Sequence, residues 1–229
     1  MASEEPATDA GPVRARLWDA PTRLVHWLLV ALIAFSWWSA ENDDLERHRW
    51  SGYAVLAVVA FRIYWGFAGG GAARFASFVK GPKATLAYMK TLPDRSARET
   101  PGHNPLGAVS VLAILATLVV QVATGLFAVD VDGIESGPLS DRVDFDTGRA
   151  LAEIHEISFT VLQVLVILHL AAIAFYLIYK RNNLIGAMIT GRRSLTGNPK
   201  ISVAPFWRLA LGVILAAALA WFVSKGLRL

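Results

Sequence analysis

Five histidines are the residues of this chain best suited to hold a metal: His26, His48, His103, His155 and His169. Cysteine is absent. Disulfides, iron–sulfur clusters and covalently attached c-type haem are therefore excluded, and a transition metal must be held by imidazole, carboxylate or methionine. His155 and His169 are fourteen residues apart. On a helix turning about 100° per residue that separation falls roughly 40° short of four turns, so both rings leave one face, about 21 Å apart along the axis.

The elements that must position these rings are apolar. A soluble domain carries about a quarter charged residues, whereas 17% of these 229 residues are charged and 55% are hydrophobic, with a mean hydropathy of +0.45. The apolar residues gather in segments from Pro21 to Ser39, His48 to Phe67, Pro105 to Val129, Ile154 to Tyr179 and Pro205 to Val223. Each approaches the roughly 20 residues needed to cross a bilayer. Lipid cannot satisfy backbone polar groups, so helices are predicted for all of them. The expected fold is an all-α integral membrane protein, a four-helix transmembrane bundle with a fifth C-terminal transmembrane helix. Residues 1–13 are read as a disordered cytoplasmic tail, 14–193 as the bundle, and 194–229 as a linker with the extra helix. Met1 to Pro12 has no apolar h-region of a cleavable signal peptide.

Loop charge predicts the orientation. Arg14, Arg16 and Arg23 flank the first segment; Arg74, Lys80, Lys83, Lys90, Arg95 and Arg98 follow the second; Lys180, Arg181, Arg192, Arg193 and Lys200 follow the fourth. The other loops are acidic, with Glu41, Asp43, Asp44 and Glu46 in one and Asp130, Asp132, Glu135, Asp141, Asp144 and Asp146 in the other. The positive-inside rule makes the multi-pass chain's N-terminus cytoplasmic and both acidic loops external. Lys225 and Arg228 run against an external C-terminus. The pI of about 9.6 comes from these loops rather than from one basic patch, so no nucleic-acid partner is expected. Trp18, Trp27, Trp37, Trp38, Trp50 and Trp65 suit an aromatic belt at the interfaces.

Depth restricts which histidines can meet. His48 and His155 lie toward the acidic loops, and His26 and His169 toward the basic ones. Two pairs follow, His48 with His155 and His26 with His169, although His169 sits about 16 Å before Lys180 by helical rise. Tilt, or a fourth helix extending past the membrane, would absorb that mismatch. Paired imidazoles from facing helices are how a bundle core grips haem iron, so two haem b groups are expected. With both axial positions filled, electron transfer is favoured over chemistry at iron. Packing histidines, or a metal-transport site, remain the non-redox alternatives, the latter disfavoured by the lack of mid-membrane carboxylates.

Other signals are weaker. Gly52, Gly66, Gly107 and Gly125 suit either close approach of a flat macrocycle or ordinary helix packing. Arg62 and Arg23 could meet haem propionates or snorkel to the interface. Gln121 could bond a neighbouring helix or a quinone.

At these residues the sequence resembles the bacterial cytochrome b561 and nickel–iron hydrogenase b-type cytochrome superfamily. The matching elements are Arg23-Leu-Val-His26-Trp27, His48 with Gly52, Arg62-Ile-Tyr-Trp-Gly66, Gly102-His-Asn-Pro-Leu-Gly107 and Gly137-Pro-Leu139. They continue with His155-Glu156, His169 and Asn183-Leu-Ile-Gly-Ala-Met-Ile-Thr-Gly191. The resemblance covers about residues 14–193 and leaves the fifth helix outside it. It implies a bacterial inner-membrane protein with two bis-histidine haems on His26, His48, His155 and His169. It also implies electron exchange between quinone and an outer-face partner such as a c-type cytochrome or hydrogenase. His103 matches a family position read either as a proton or quinone site or as a solvated loop residue. Membrane lipid and a second copy in a homodimer complete the expected partners. A stand-alone superoxide or small-reductant:quinone oxidoreductase is the alternative within the same chemistry, and a non-redox anchor or transporter the one outside it.

Overall fold

The computed structural model describes residues 13–95, 102–132, 135–195 and 202–228. In chain order these form β1 (Val13–Arg16), α1 (Ala20–Glu41), α2 (Leu45–Ala68), α3 (Phe75–Phe78), α4 (Pro82–Lys90) and α5 (Pro105–Phe127). There follow α6 (Phe145–Ile178), α7 (Leu184–Thr190), β2 (Arg192–Leu195) and α8 (Phe206–Ser224). Among the described residues five helices, α1, α2, α5, α6 and α8, are long and apolar enough to cross a membrane. Their outward faces are apolar: Ile157, Ile167 and Leu168 on α6 and Val213 and Ile214 on α8 are exposed, as lipid-facing side chains should be.

Short polar residues start these helices. Asp19 accepts from the Thr22 backbone N–H at 2.9 Å, Asn104 from Gly107 at 2.7 Å and Asp144 from Thr147 at 2.8 Å, each satisfying a donor that the first helical turn leaves unpaired. Asn183 does the same for α7 through Gly186 at 2.7 Å. Gly191 ends α7 at φ +75°, a left-handed position where a Cβ would also lie 2.8 Å from the Trp18 carbonyl.

Helix α6 departs from the expected boundary. It begins at Phe145 rather than Ile154 and holds 34 residues, about 50 Å of helix against a hydrocarbon core of about 30 Å. The added turns are polar, so they carried no membrane signal in the sequence; Asp144 caps them.

An antiparallel ribbon was also not anticipated. Strand β1 pairs with β2, Val13 opposite Leu195 and Arg16 opposite Arg192, and Leu17 N–H donates to the Gly191 carbonyl at 2.7 Å. The ribbon joins the two ends of the bundle's sequence at the basic-loop end. Val13 is thus strand rather than tail, and the expected boundary after residue 193 falls inside β2. Residues 1–12 lie outside the described residues.

Helix α2 is the centre of the packing, against α1, α5 and α8. Val55 and Val59 on it meet Leu118 of α5 and Leu162 of α6 in a buried layer, and Leu162 is midway in sequence between His155 and His169. Helix α8 lies against α2 with Gly212 under Tyr64, where a Cβ would come within 2.5 Å of the ring. Tyr64 Oη donates to the Arg208 carbonyl at 3.0 Å. At the far end of α8, Arg228 pairs with Asp141, and Arg142 Nη2 donates to the Gly226 carbonyl at 3.1 Å. Of the two positive charges that argued against this end lying with the acidic loop, Arg228 is thereby matched by that loop's own carboxylate.

Candidate functional site

The fold brings four of the five histidines together as two pairs. At the acidic-loop end, His48 from the first turn of α2 faces His155 from α6, with ring centroids 6.0 Å apart. Toward the basic-loop end, His26 of α1 faces His169 of α6 at 6.5 Å. An imidazole nitrogen lies about 2 Å from a metal it binds, and each ring adds roughly 1 Å from nitrogen to centroid, so two rings on opposite sides of one ion have centroids about 6 Å apart.

The acidic-end pair is held by backbone. His48 Nδ1 lies 2.9 Å from the Ser36 carbonyl and His155 Nδ1 lies 2.8 Å from the Gln121 carbonyl. A carbonyl can only accept, so each Nδ1 carries the proton and each Nε2 keeps its lone pair. That is the tautomer and orientation a metal-binding imidazole needs. Gln121 Nε2 donates to His155 Nε2 at 3.0 Å, and the other end of the same amide accepts from Ser158 Oγ. Gln121 therefore bonds a neighbouring helix. Between the two rings lies a cavity of about 360 Å³ lined by His48, Gly52, Gly125, Leu118, His155 and Phe159 among others, within the roughly 300–1,000 Å³ of cofactor clefts. A Cβ on Gly52 would touch nothing within 4 Å, whereas one on Gly125 would fall 2.7 Å from His155 Cε1. The first glycine leaves space and the second admits the ring.

The basic-end pair is surrounded by unpartnered polar atoms. Thr22 Oγ1, Arg23 Nε, His26 Nδ1, Arg62 Nη1 and His103 Nδ1 are buried without a hydrogen bond, five of the six such side-chain atoms among the described residues. Burying polar groups unpaired costs about 1–3 kcal/mol each, so these donors at one end of the bundle suit an anionic group that would pair with them. Arg62 is 6% exposed with its guanidinium 5.1 Å from the centre of the Phe75 ring. It does not snorkel, because Phe75 closes over it and Gly66 has no side chain to hold that ring away. Arg23 turns one arm to the Ile189 carbonyl at 2.5 Å, at the end of α7.

His103 is not a solvated loop residue. Its ring packs between Trp18, 4.6 Å away, and Phe78, 4.4 Å away. Burial, with the charges of Arg62 and His169, pushes its imidazole down to about 3. Trp18 and Trp65 likewise leave the expected aromatic belt: both are buried, and Trp65 Nε1 donates to Asp19 at 2.9 Å. Trp27, Trp37, Trp38 and Trp50 remain exposed.

Residues the sequence reading did not single out as site residues include Ser36, Arg49, Tyr53 and Pro138. Arg49 and Tyr53 stand one and five positions after His48, on one face of α2 with each other, which is a readable signal. Ser36 acts through its carbonyl and had none. Among the described residues no three His, Asp or Glu side chains converge on one point. A bare ion usually takes three or more protein ligands, so the pairs suit a metal that brings its remaining ligands with it. A haem does so, and the cavity, the unprotonated Nε2 atoms of His48 and His155 and the unpartnered donors all fit one.

A family model for prokaryotic cytochrome b561 matches residues 17–191. No curated protein matches the chain, and no solved structure does.

Proposed function

The chain belongs to the prokaryotic cytochrome b561 family, and from that premise we propose that it carries electrons across its membrane through two b-type haems, exchanging them between a redox partner at the acidic-loop face and quinone. As a member of that family it is a multi-pass bacterial membrane protein that binds haem b and transfers electrons. The observation that carries the finer reading is the pair of ring separations, 6.0 and 6.5 Å, both near the spacing of two imidazoles across one metal.

His48 and His155 would hold one haem and His26 and His169 the other, so α6 supplies a ligand to each. Bound iron supplies one-electron chemistry by cycling between its ferric and ferrous states. The carbonyls of Ser36 and Gln121 keep the acidic-end imidazoles aimed and make them stronger donors. Gln121 Nε2 would leave His155 while its oxygen stays with Ser158. Arg62 and Arg23 each keep a buried unpaired nitrogen that would be available to carboxylates, and His103 would serve as a polar group for quinone or proton exchange. The charge pattern supports a cytoplasmic N-terminus with the acidic loops outside.

The deciding experiment is pyridine haemochrome analysis of purified protein with a reduced-minus-oxidised spectrum. Two haems b per chain are expected, with one lost in His48→Ala and one in His26→Ala. A wild-type value of one, or a value unchanged by His48→Ala, would overturn the reading.

A further inference from the structure

The cavity between His48 and His155 adjoins a second one. This outer cavity, about 430 Å³, shares Arg49, Tyr53 and Pro138 with the first and is completed by Asp141, Lys225 and Arg228 among others. Its chemistry differs from that of its neighbour. Leucine, valine and phenylalanine side chains make up much of the inner cavity's wall, with Glu41 and Glu156 also in its lining, whereas the outer one presents three cations against one carboxylate. A flat apolar ring system carrying carboxylates would find both environments in sequence, with the ring among the leucines and the acids among the cations.

Two of the three cations come from the residues that follow α8, outside the residues matched to the family. That end is fixed in place. Arg228 pairs with Asp141, Arg142 donates to the Gly226 carbonyl, and Gly226 sits so close to Pro138 that a Cβ would fall 3.1 Å from its carbonyl oxygen. Arg49 pairs with Glu135 of the same loop. The fifth helix thus brings positive charge to the mouth of a site otherwise built from α1, α2, α5 and α6.

We propose that the turn after α8, through Lys225 and Arg228 together with Arg49 and Tyr53 of α2, forms a carboxylate-binding pocket that anchors the propionates of the acidic-end haem. This rests on the two-haem reading above. Arginine and lysine are the side chains suited to carboxylates, arginine by paired N–H donors and lysine as a point charge. They also act on the haem's redox behaviour: nearby positive charge favours the reduced iron and holds the propionates ionised to lower pH.

The test uses the full-length protein in detergent, with redox titration across a pH series. The acidic-end component is the one that His48→Ala removes. Lys225→Gln combined with Arg228→Gln should keep two haems, shift that component's midpoint downward, move its pH-dependent step upward, and leave the other component unmoved. Arg228→Lys should restore most of the shift. Lys225→Gln alone, which leaves the Arg228–Asp141 pair in place, should give a smaller shift of the same sign if the double variant folds poorly. Two haems with an unaltered acidic-end midpoint and pH profile in both variants would overturn the proposal. Added acetate should not move the wild-type midpoint; if it does, and fails to in the double variant, the pocket takes external carboxylates and the propionate assignment falls. Wild-type stoichiometry, measured first, separates this from failure of the two-haem reading, since fewer than two haems would overturn both.

Discussion

The His155 ring occupies the space that a side chain on Gly125 would need: a Cβ there would lie 2.7 Å from Cε1 and 2.9 Å from Nδ1. The neighbour that would have to move is a ring held by its Nδ1 bond to the Gln121 carbonyl. Gly125→Ala should therefore displace His155 and lower haem content from two per chain toward one. Gly81→Ala, where a Cβ meets nothing within 4 Å, is the control and should keep both. Equal haem content in the two variants would show that His155 can shift without losing its role.

Ligand sharing predicts strong non-additivity. His26→Ala and His169→Ala should remove the same spectroscopic component, and their double variant should look little worse than either alone, because residues in one ligation unit do not contribute independently. His26→Ala with His155→Ala should remove both components. Grouping of His26 with His155 in redox titrations would show that the 6.5 Å pair is not the pair that holds iron.

Arg62 gives a prediction with opposite signs in two states. Its buried Nη1 lacks a partner, so without haem Arg62→Met should leave stability unchanged or raise it by about 1–3 kcal/mol. With haem, the same change should weaken retention of the basic-end group by roughly tenfold, the equivalent of about 1.4 kcal/mol. Destabilisation of the haem-free chain in thermal melts would instead assign Arg62 a purely structural role over Phe75.

His103 sets a pH dependence. Its folded-state value of about 3 lies below the ordinary 6.5, so between these values the unfolded chain takes up the proton first. The stability contributed by the neutral ring is complete above about pH 6.5 and is lost as pH falls toward 3. Melts of the haem-free protein across that window should show a decline that is shallower in His103→Leu. Parallel curves would mean that His103 does not titrate differently on unfolding.

The chain's lack of cysteine makes orientation directly testable. Ser77 and Ser136 are exposed at opposite ends of the bundle. With cysteine at Ser136, intact cells should be labelled by an impermeant thiol reagent, and with cysteine at Ser77 they should not. The reverse pattern would invert the proposed electron path.

The membrane-spanning helices were legible because their evidence is local. Twenty-odd apolar residues between charged loops leave a helix as the structure that satisfies its own backbone in lipid. The two-pair arrangement of histidines was legible for a related reason, since a helix fixes depth by residue number. The start of α6 was not, because its first turns are polar and continue past the membrane, where hydropathy carries no information. The β1–β2 ribbon was hidden as well: it joins residues nearly 180 positions apart, and four-residue strands have no pattern strong enough to announce a distant partner.

By itself, then, the sequence determined the class of fold, the depth of each histidine and the residue types available to a metal. Tertiary structure decided which alternatives held for the polar residues around them. It buried Arg62 under Phe75 instead of letting it reach the interface, and set His103 between Trp18 and Phe78. It also turned Gln121 toward α6 and brought Lys225 and Arg228 to the mouth of the acidic-end cavity. Helical rise fixes how deep a residue lies, but the face it presents to its neighbours depends on how the helices rotate and pack, and that is settled by contacts between segments far apart in the chain.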